Sequence, residues 1–422
     1  MSTNRLRTVL GILAAASILP LTGCMDASLS QSGTAPASIS IQDAPSGIEA
    51  LDIEISGGTD VARTVTRDTE APIFELPVGE KHTIDIDSSN FLGSKTFTVP
   101  RSGLQLSVRV QEKIFVPDTQ NDRLVMIDDM AGTDWSVTSG MADHRDAEVG
   151  PDGRIYVAGE SVGNDRELVK AFDSIDDSEP AEIVPNITAG QVNAIGVDWE
   201  QGYVYYGGRS PGGDFDLAFL RQVTLSGGSE RTFDSLVSSG ASHLDTGGLW
   251  GISVGDSGDI YVAGGQYDPT AGSFGGLPAA LAVRIDPETA SVVWVSDTLP
   301  LDTSTSAKAG ILFKDGSVYV TNRAGIDGYK IVQLDARTGE ITGHFGSAPA
   351  DPSNPRPGEF YAPRRFVAVN RARIYVIDDG DGSYAPGDRI VSFEPGVDAS
   401  GWRTFGSEGS GEDEFKFFDA PS

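Results

Sequence analysis

Short runs of β-branched and aromatic residues recur from residue 113 onward, and each run is apolar on both sides of the strand alternation. This pattern is expected for a strand with sheets stacked on both faces. Six copies occur, at residues 113–116, 154–157, 203–206, 259–262, 317–320 and 373–376. Their aromatic residues stand at positions 115, 156, 205, 261, 319 and 375, which gives steps of 41, 49, 56, 58 and 56 residues. A four-stranded propeller blade with variable loops has this length, so the pattern predicts an all-β fold with a six-bladed β-propeller over residues 111–422.

Residues 39–110 show a different pattern, in which apolar and polar residues alternate in short runs between turns. The runs lie at residues 50–55, 73–76, 82–86, 95–99 and 105–110. Such strands, each with one buried face, predict a small β-sandwich. The segment resembles the immunoglobulin-like modules that precede propellers in bacterial surface lipoproteins, which implies a spacer domain. Residues 24–38 contain few large apolar residues and are predicted to form a flexible tether.

The N-terminus carries the most specific motif of the chain. Arg5 and Arg7 precede an apolar stretch at residues 9–21, which is too short for a stable membrane span. Leu21-Thr22-Gly23-Cys24 follows and resembles a bacterial lipobox, with Cys24 the single cysteine of the chain. The alternative is an ordinary signal peptide followed by an unrelated cysteine. The resemblance implies a lipoprotein signal peptide over residues 1–23 and an extracytoplasmic protein held to the bacterial cell envelope by lipid on Cys24. Inner membrane, outer membrane and cell surface all stay open.

Several segments of the predicted propeller are similar to the NHL repeat. The sequence VPDTQNDRL at residues 116–124, the Phe345-Gly346 and Phe405-Gly406 pairs, and Phe415 downstream carry this resemblance. It extends over residues 113–422 and is close in the first, fifth and sixth copies. The middle copies lack the hairpin aspartate. Since a fold does not determine a function, the resemblance implies architecture only. Two ring closures are open: residues 105–110 form the inner strand of the first blade, or the tail around residues 415–418 completes the ring.

The chain is strongly acidic, with 61 Asp and Glu against 31 Lys and Arg and a formal charge of -30. This balance excludes nucleic-acid binding, which requires a basic surface. An acidic, well-solvated surface explains the charge, and calcium binding is the alternative.

One loop of the sixth repeat gathers four aspartates that are candidate calcium ligands. They are Asp378, Asp379, Asp381 and Asp388. Asp379, Asp381 and Ser383 match the first alternate positions of a calcium loop, but Ile390 stands where the closing glutamate is required. The competing interpretation is an acidic turn between two strands. Ca²⁺ is the one cofactor that the sequence raises.

Aromatic and basic residues precede two predicted inner strands, where propeller loops often face the central channel. Trp250 precedes one, and Tyr361, Arg364 and Arg365 precede the other. We hypothesise that they form a ligand-binding rim around the channel that receives an anionic group.

Catalytic motifs are absent from the sequence. The four histidines, His82, His144, His243 and His344, lie in unrelated surroundings, and a zinc site or a catalytic triad needs converging groups. The sequence therefore favours a binding or scaffold protein that presents a propeller to a protein or glycan partner at the envelope. The alternative is a metal-dependent propeller hydrolase or lactonase, for which Glu148, Asn193 and Asn370 are candidates. A purely structural envelope protein comes third.

Overall fold

Strands make up almost all the regular structure of the chain. The computed structural model describes residues 33–417 except 43–49, 59, 67–71, 164–165, 213–214, 234–247, 265–266, 269–272, 275–278, 281, 297, 300–308, 323–328, 352–353, 369–370, 381–386 and 396–400. The one helical element that lies wholly within these residues is a single 3-10 turn, Thr119–Asn121. No helix of this part is long and apolar enough to span a bilayer.

The alternating segment before residue 113 forms two sheets that pack face to face. Its strands are β1 (Thr34–Gln42), β2 (Ala50–Ser56), β3 (Val61–Thr66), β4 (Ile73–Pro77), β5 (Lys81–Asp87), β6 (Phe91–Thr98), β7 (Leu104–Arg109) and β8 (Gln111–Glu112). One sheet has the order β4-β1-β7 and the other β3-β2-β5-β6-β8. Apolar residues at alternate positions face the interior, as in β5, where the buried Ile84 and Ile86 alternate with the exposed Asp85 and Asp87.

The boundaries of this sandwich differ from those predicted. β1 begins at Thr34, inside the segment predicted as a tether, and Ala35 and Ala37 are buried. Small alanine side chains fill the interior at positions where the sequence lacked a large apolar residue. At the other end, β7 pairs in parallel with β1. The first of the two ring closures, which used residues 105–110 as a blade strand, is therefore wrong.

Six further sheets follow, one for each copy of the repeated run. Sheet 1 contains β9 (Ile114–Asp118), β10 (Arg123–Ile127) and β11 (Ser136–Thr138). Sheet 2 contains β12 (Ala142–Val149), β13 (Ile155–Glu160), β14 (Glu167–Phe172) and β15 (Ala181–Val184). Sheet 3 contains β16 (Gln191–Asp198), β17 (Tyr203–Gly212), β18 (Phe215–Thr224) and β19 (Arg231–Thr232).

Sheet 4 is interrupted by short strand pairs. It contains β20 (Leu249–Val254) and β21 (Ile260–Gly264), and the short strands β22 (Tyr267–Asp268), β23 (Ser273–Phe274) and β24 (Ala279–Ala280) come next. It continues with β25 (Val283–Asp286) and β26 (Ser291–Val295), followed by the short β27 (Thr298–Leu299). Sheet 5 contains β28 (Ile311–Lys314), β29 (Ser317–Thr321), β30 (Tyr329–Asp335) and β31 (Ile341–Ser347). Sheet 6 contains β32 (Pro363–Val367), β33 (Ile374–Asp378), β34 (Arg389–Phe393) and β35 (Arg403–Phe405), and the parallel pair β36 (Ser407–Glu408) and β37 (Glu414–Phe415) ends the described chain.

These six sheets close into a ring. The innermost strands contact one another in the cyclic order β9, β12, β16, β20, β28, β32 and back to β9. A separate apolar cluster fills the space between each pair of neighbouring sheets, and the cluster between sheets 6 and 1 joins Ile377 to Val116. The predicted all-β propeller is confirmed. Sheet 1 has three strands within the described residues, where the repeat predicted four.

The sandwich packs directly on the ring. Phe91 of β6 shares one apolar cluster with Phe115 and Phe172 of sheets 1 and 2. Asn90 Nδ2 donates hydrogen bonds of 2.7 Å and 2.9 Å to the carbonyl oxygens of Gly153 and Asp173. A shared apolar core with directional hydrogen bonds fixes the sandwich against one side of the ring.

Candidate functional site

One face of the ring carries the longest connections. Strands within each four-stranded sheet are antiparallel, so the link from the second to the third strand and the link to the next sheet leave from the same face. Residues 233–248, 265–282 and 296–310 connect strands at this face, which we call the loop face. β24 and β27, from two of these connections, pair there. The opposite face has shorter turns, such as residues 315–316.

A small cavity lies on the axis of the ring. Inner strands of sheets 2 to 6 line it, with Asp146, Glu148, Ile195, Trp250, Gly251, Ile252, Gly310, Ile311, Arg365 and Phe366 among the lining residues. Its volume is about 20 Å³, which is room for roughly one water molecule. The cavity is therefore of a size for a water or a small ion.

Asp146 and Arg365 form an ion pair in the wall of this cavity. Arg365 Nη1 lies 3.4 Å from Asp146 Oδ1, and Asp146 Oδ2 accepts a 3.0 Å hydrogen bond from the Ile195 N–H. Burial raises the pKa of Asp146, and Arg365 opposes that rise. Burial likewise lowers the pKa of Arg365, which Asp146 opposes. The pair thus joins sheet 2 to sheet 6 across the axis, with β16 of sheet 3 bonded to it.

Glu148 faces the same cavity, and none of the described residues places a cation beside it. Its Oε2 accepts a 3.1 Å hydrogen bond from the Val197 N–H. Burial raises the pKa of Glu148 well above its usual range, and the nearby carboxylates of Glu112 and Asp146 add to the rise. Burial and the neighbouring carboxylates therefore favour the protonated form of Glu148, which can donate as well as accept a hydrogen bond.

A second buried arginine organises the loop-face end of sheet 2. The side chain of Arg145 is fully buried, and Nη1 donates to Glu167 Oε2 at 2.6 Å and to the Val192 carbonyl at 2.9 Å. Nη2 pairs with the carboxylates of Asp143 and Glu160. Glu160 ends β13 and Glu167 begins β14, so the connection between these strands brings both to the guanidinium. Three carboxylates around one cation leave this end of sheet 2 negatively charged.

The rim residues predicted from the sequence have separate locations. Trp250 and Arg365 both line the axial cavity, but Trp250 is only 6% exposed and packs as a core residue. Tyr361 is half-buried, with its ring 5.2 Å from Arg389 Cζ. Arg364 is buried and pairs with Asp379.

Arg364 and Arg365 therefore each have a carboxylate partner. This pairing argues against the hypothesis that the rim receives an anion, because the positive charge is already balanced. The hypothesis itself stays a prediction.

The predicted calcium ligands are engaged with the protein. Asp378 accepts hydrogen bonds from the N–H groups of Tyr361 and Ala362 at 3.2 Å and 2.9 Å, and lies 3.0 Å from Arg389 Nη2. Asp388 accepts from the N–H groups of Gly380 and Phe417.

Burial raises the pKa of Asp388 to about 7, and Asp379 beside it contributes. Asp381 lies outside the described residues. In the part of the chain that the structure describes, no group of three or more His, Cys, Asp or Glu side chains, with Asp378, Asp379 and Asp388 included, is placed to hold a metal ion.

The remaining candidates are scattered or fall outside the described chain. Asn193 is buried on β16, and its Nδ2 donates to the Leu249 carbonyl at 3.2 Å. Asn370, His243 and Cys24 lie outside the described residues. His82 is buried in the sandwich and His144 in sheet 2, whereas His344 lies on an outer strand of sheet 5. The described histidines do not converge.

Sequence reasoning missed Arg145 and Asp146. The signal was present in the stretch His144-Arg145-Asp146-Ala147-Glu148, where four of five residues are charged or carry an imidazole. It directly precedes the organising strand of its repeat, and the corresponding strand of the next repeat reads Ile195-Gly196-Val197. Charged residues in this inner strand, Asp146 and Glu148, are the ones that line the axial cavity.

Comparisons with known proteins add little to this geometry. No family model and no curated protein matches the chain. Among solved structures, it is similar to a GH43 β-xylosidase/α-arabinofuranosidase from a compost microbial metagenome, in complex with xylotriose and in a calcium-free form. The identity is 13%, the match covers 64% of this chain and 93% of that one, and the TM-score is 0.35. A likeness of this level carries no argument about activity.

Proposed function

We propose that this chain is a lipid-anchored, extracytoplasmic binding protein that presents the loop face of its propeller to a protein or glycan partner at the bacterial cell envelope. The observation that carries the proposal is the loop face itself. The longest connections between strands leave the ring at this face, and two of them pair through the short strands β24 and β27. Loops that project from a rigid scaffold are the usual location of binding residues.

The size of the axial cavity supports binding at the surface. A cavity of about 20 Å³ has room for one water-sized particle and not for a sugar ring or a peptide side chain. Drug-sized ligands occupy pockets of roughly 300–1,000 Å³. A partner of that size or larger is accordingly expected to engage the loop face rather than the channel.

The lipid anchor rests on the N-terminal sequence. Arg5, Arg7, the apolar residues 9–21 and Cys24 together make up the lipobox-like arrangement. The tether that follows ends by Thr34, where β1 begins. The anchor would hold the ring near the membrane and leave the loop face available to a partner.

Site-specific photo-crosslinking in a bacterial host tests the binding function. A photoreactive amino acid replaces Ser239 or Thr270 of the loop-face connections, and Asp315 on the opposite face is the matched control. We expect adducts from the loop-face positions and none from Asp315. Protease treatment of the adduct then shows whether the cross-linked partner is a protein or a glycan. Equal labelling at all three positions, or none at any, would refute the proposal.

A metal-dependent hydrolase is the second candidate, and Glu148 is the observation that favours it. The carboxyl group of Glu148 faces the axial cavity two residues from Asp146, whose charge is balanced by Arg365. Pairs of carboxyl groups with different pKa values can serve as acid and base in catalysis. Elemental analysis of the purified full chain tests this candidate. About one retained divalent ion per chain would support this candidate. A metal-free protein would argue against it, because a metal-dependent hydrolase needs the ion.

A further inference from the structure

A large cleft separates the sandwich from sheets 1 and 2, on the side of the molecule away from the loop face. Its volume is about 530 Å³, which is in the range of small-molecule sites, and such sites occur preferentially at domain junctions. The sandwich contributes residues of β2, β5 and the turn after β5, and the ring contributes Lys113, Met126, Ser136 and residues 174–176. The cleft is thus a ligand-sized space between two rigid units.

Carboxylates dominate the wall that the sandwich provides. Asp52 and Glu54 of β2 lie directly opposite Asp87 and Asp85 of β5 in the antiparallel register. Residues two apart on a strand are separated by about 7 Å, and cross-strand neighbours by about 5 Å. The four side chains therefore form a rectangle of negative charge on one face of the sheet. Like charges directly opposite each other destabilise a sheet.

Little within the cleft balances this charge. Among the described residues, five carboxylates line it, including Asp176 from the ring, and Lys113 is the one cationic lining residue, so their formal charge is -4. Lys113 Nζ is already shared between Asp87 at 3.0 Å and Asp128 at 3.7 Å. Asp52 and Asp85 each accept one neutral hydrogen bond, from Thr64 and Ser94. The strand register therefore holds carboxylates that repel one another close together, and a cationic ligand would reduce this repulsion.

The other lining residues indicate which cation fits. Met126 and Ile175 give the cleft an apolar patch, and Ser88, Ser89, Ser136 and Ser174 supply hydroxyl groups. A hard metal ion needs six or more oxygens around one point, and the described residues contain no group of three or more His, Cys, Asp or Glu placed to hold one. The carboxylates instead lie about 5–7 Å apart. This spacing suits a ligand whose positive charges are spread along a flexible chain.

We infer that this cleft binds an aliphatic oligoamine. Its ammonium groups pair with the carboxylates of Glu54 and Asp85 and with their neighbours Asp52 and Asp87, and its methylene segments lie on Met126 and Ile175. Serine hydroxyls accept the remaining N–H groups. The site is independent of the loop face and of any partner bound there. Because both the sandwich and the ring line the cleft, a bound oligoamine also fastens the two units together.

Spermidine is the probe for this site. The full chain, purified in detergent, is titrated by calorimetry and by thermal unfolding, with NaCl at matched ionic strength and MgCl₂ as comparisons. We expect saturable spermidine binding that weakens as NaCl rises, and an unfolding midpoint that rises with spermidine by mass action. Matched NaCl is expected to leave the midpoint almost unchanged. Tighter binding of Mg²⁺ than of spermidine would overturn the assignment to an amine.

A double variant supplies the decisive comparison. The cleft variant, Glu54→Gln with Asp85→Asn, removes one opposed pair of charges. The control variant, Glu75→Gln with Glu80→Gln, makes the same change in charge at exposed residues of the same domain outside the cleft. We expect the cleft variant to lose about tenfold or more in spermidine affinity, and to unfold at a higher temperature than the unmodified chain when no ligand is present. The control variant should bind as the unmodified chain does. Equal binding by all three proteins would overturn the proposal.

Discussion

Asp118 accepts a 2.6 Å hydrogen bond from the backbone N–H of Lys416, which stands 298 positions later in the chain. The same carboxylate lies 2.7 Å from Arg123 Nε across the β9–β10 hairpin. Sheet 6 repeats this arrangement, since Asp378 pairs with Arg389 and accepts from the N–H of Ala362. In both sheets an aspartate at the end of the repeated aromatic strand, β9 or β33, holds the segment that enters from the preceding sheet. In sheet 1 this contact ties the start of the ring to its end.

Replacing Asp118 with asparagine tests this closure. Asp118→Asn removes the carboxylate partner of Arg123, whose guanidinium keeps three hydrogen bonds to backbone carbonyls of the tail. Removing one member of a buried ion pair costs about 3–5 kcal/mol. We expect the free energy of unfolding to fall by about 3 kcal/mol, measured by urea denaturation. Asp315→Asn, at a side chain 89% exposed, should change it by less than about 0.5 kcal/mol. Equal effects of the two substitutions would show that Asp118 does not close the ring.

This aspartate also shows what the sequence could reveal. Asp118 stands in the NHL-like segment at residues 116–124, and the repeated aromatic strands located all six sheets. Both follow from local periodicity, which one chain segment displays by itself. The tail segment with Phe415 was one of two open closures, because strand partners distant in sequence leave no local pattern.

The axial residues were harder to predict for the same reason. Glu148 was proposed from its place in an inner strand, and Trp250 and Arg365 were correctly placed near the channel. The pairing of Arg365 with Asp146 joins sheets whose strands are more than 200 residues apart in the chain. The sequence shows the charges of both residues but not that they meet, and the anion-binding rim that it suggested stays a prediction.

Substitution of Arg145 is expected to be strongly destabilising. Arg145→Met leaves Asp143, Glu160 and Glu167 facing one another without a cation, and we expect a loss of about 3–5 kcal/mol in unfolding free energy. Arg145→Lys should recover only part of it, because one ammonium cannot reach all four acceptors that the guanidinium serves. Chemical denaturation measures both.

Arg166→Met is the matched control. Arg166 pairs with Glu182 at 2.9 Å on the surface, where both side chains are about one-third exposed, and exposed pairs contribute about 0–1 kcal/mol. A loss at Arg145 no larger than at Arg166 would contradict the structural role assigned to the buried cluster.

The lipid anchor predicts a specific chemical modification. With Cys24 intact, metabolic labelling by an alkyne-tagged fatty acid should mark the protein, and the protein should sediment with membranes. Cys24→Ala removes the thiol that carries the lipid, so we expect both label and sedimentation to be lost. Ser28→Ala, a short distance further along the chain, is the matched control and should retain both. Membrane association that survives Cys24→Ala without label would refute the anchor.

His144 should make the ring sensitive to acid. Its side chain is fully buried, neither ring nitrogen has a hydrogen-bond partner within the described residues, and burial lowers its pKa from 6.5 to about 4. Between these values the unfolded chain binds a proton that the folded protein does not, so this residue lowers stability as the pH falls from 6.5 toward 4. The difference corresponds to about 3 kcal/mol.

The comparison of His144→Leu with the unmodified chain isolates this contribution. Buried carboxyl groups with raised pKa values, such as Glu167, stabilise the fold as the pH falls and so act in the opposite direction. They are present in both proteins and cancel in the difference. The variant should therefore gain about 3 kcal/mol relative to the unmodified chain between about pH 7 and pH 4, and the two curves should run parallel above about pH 7. If the curves of unfolding free energy against pH were parallel over the whole range, His144 would be hydrated or paired in solution. Its pKa would then be the same in the folded and unfolded protein.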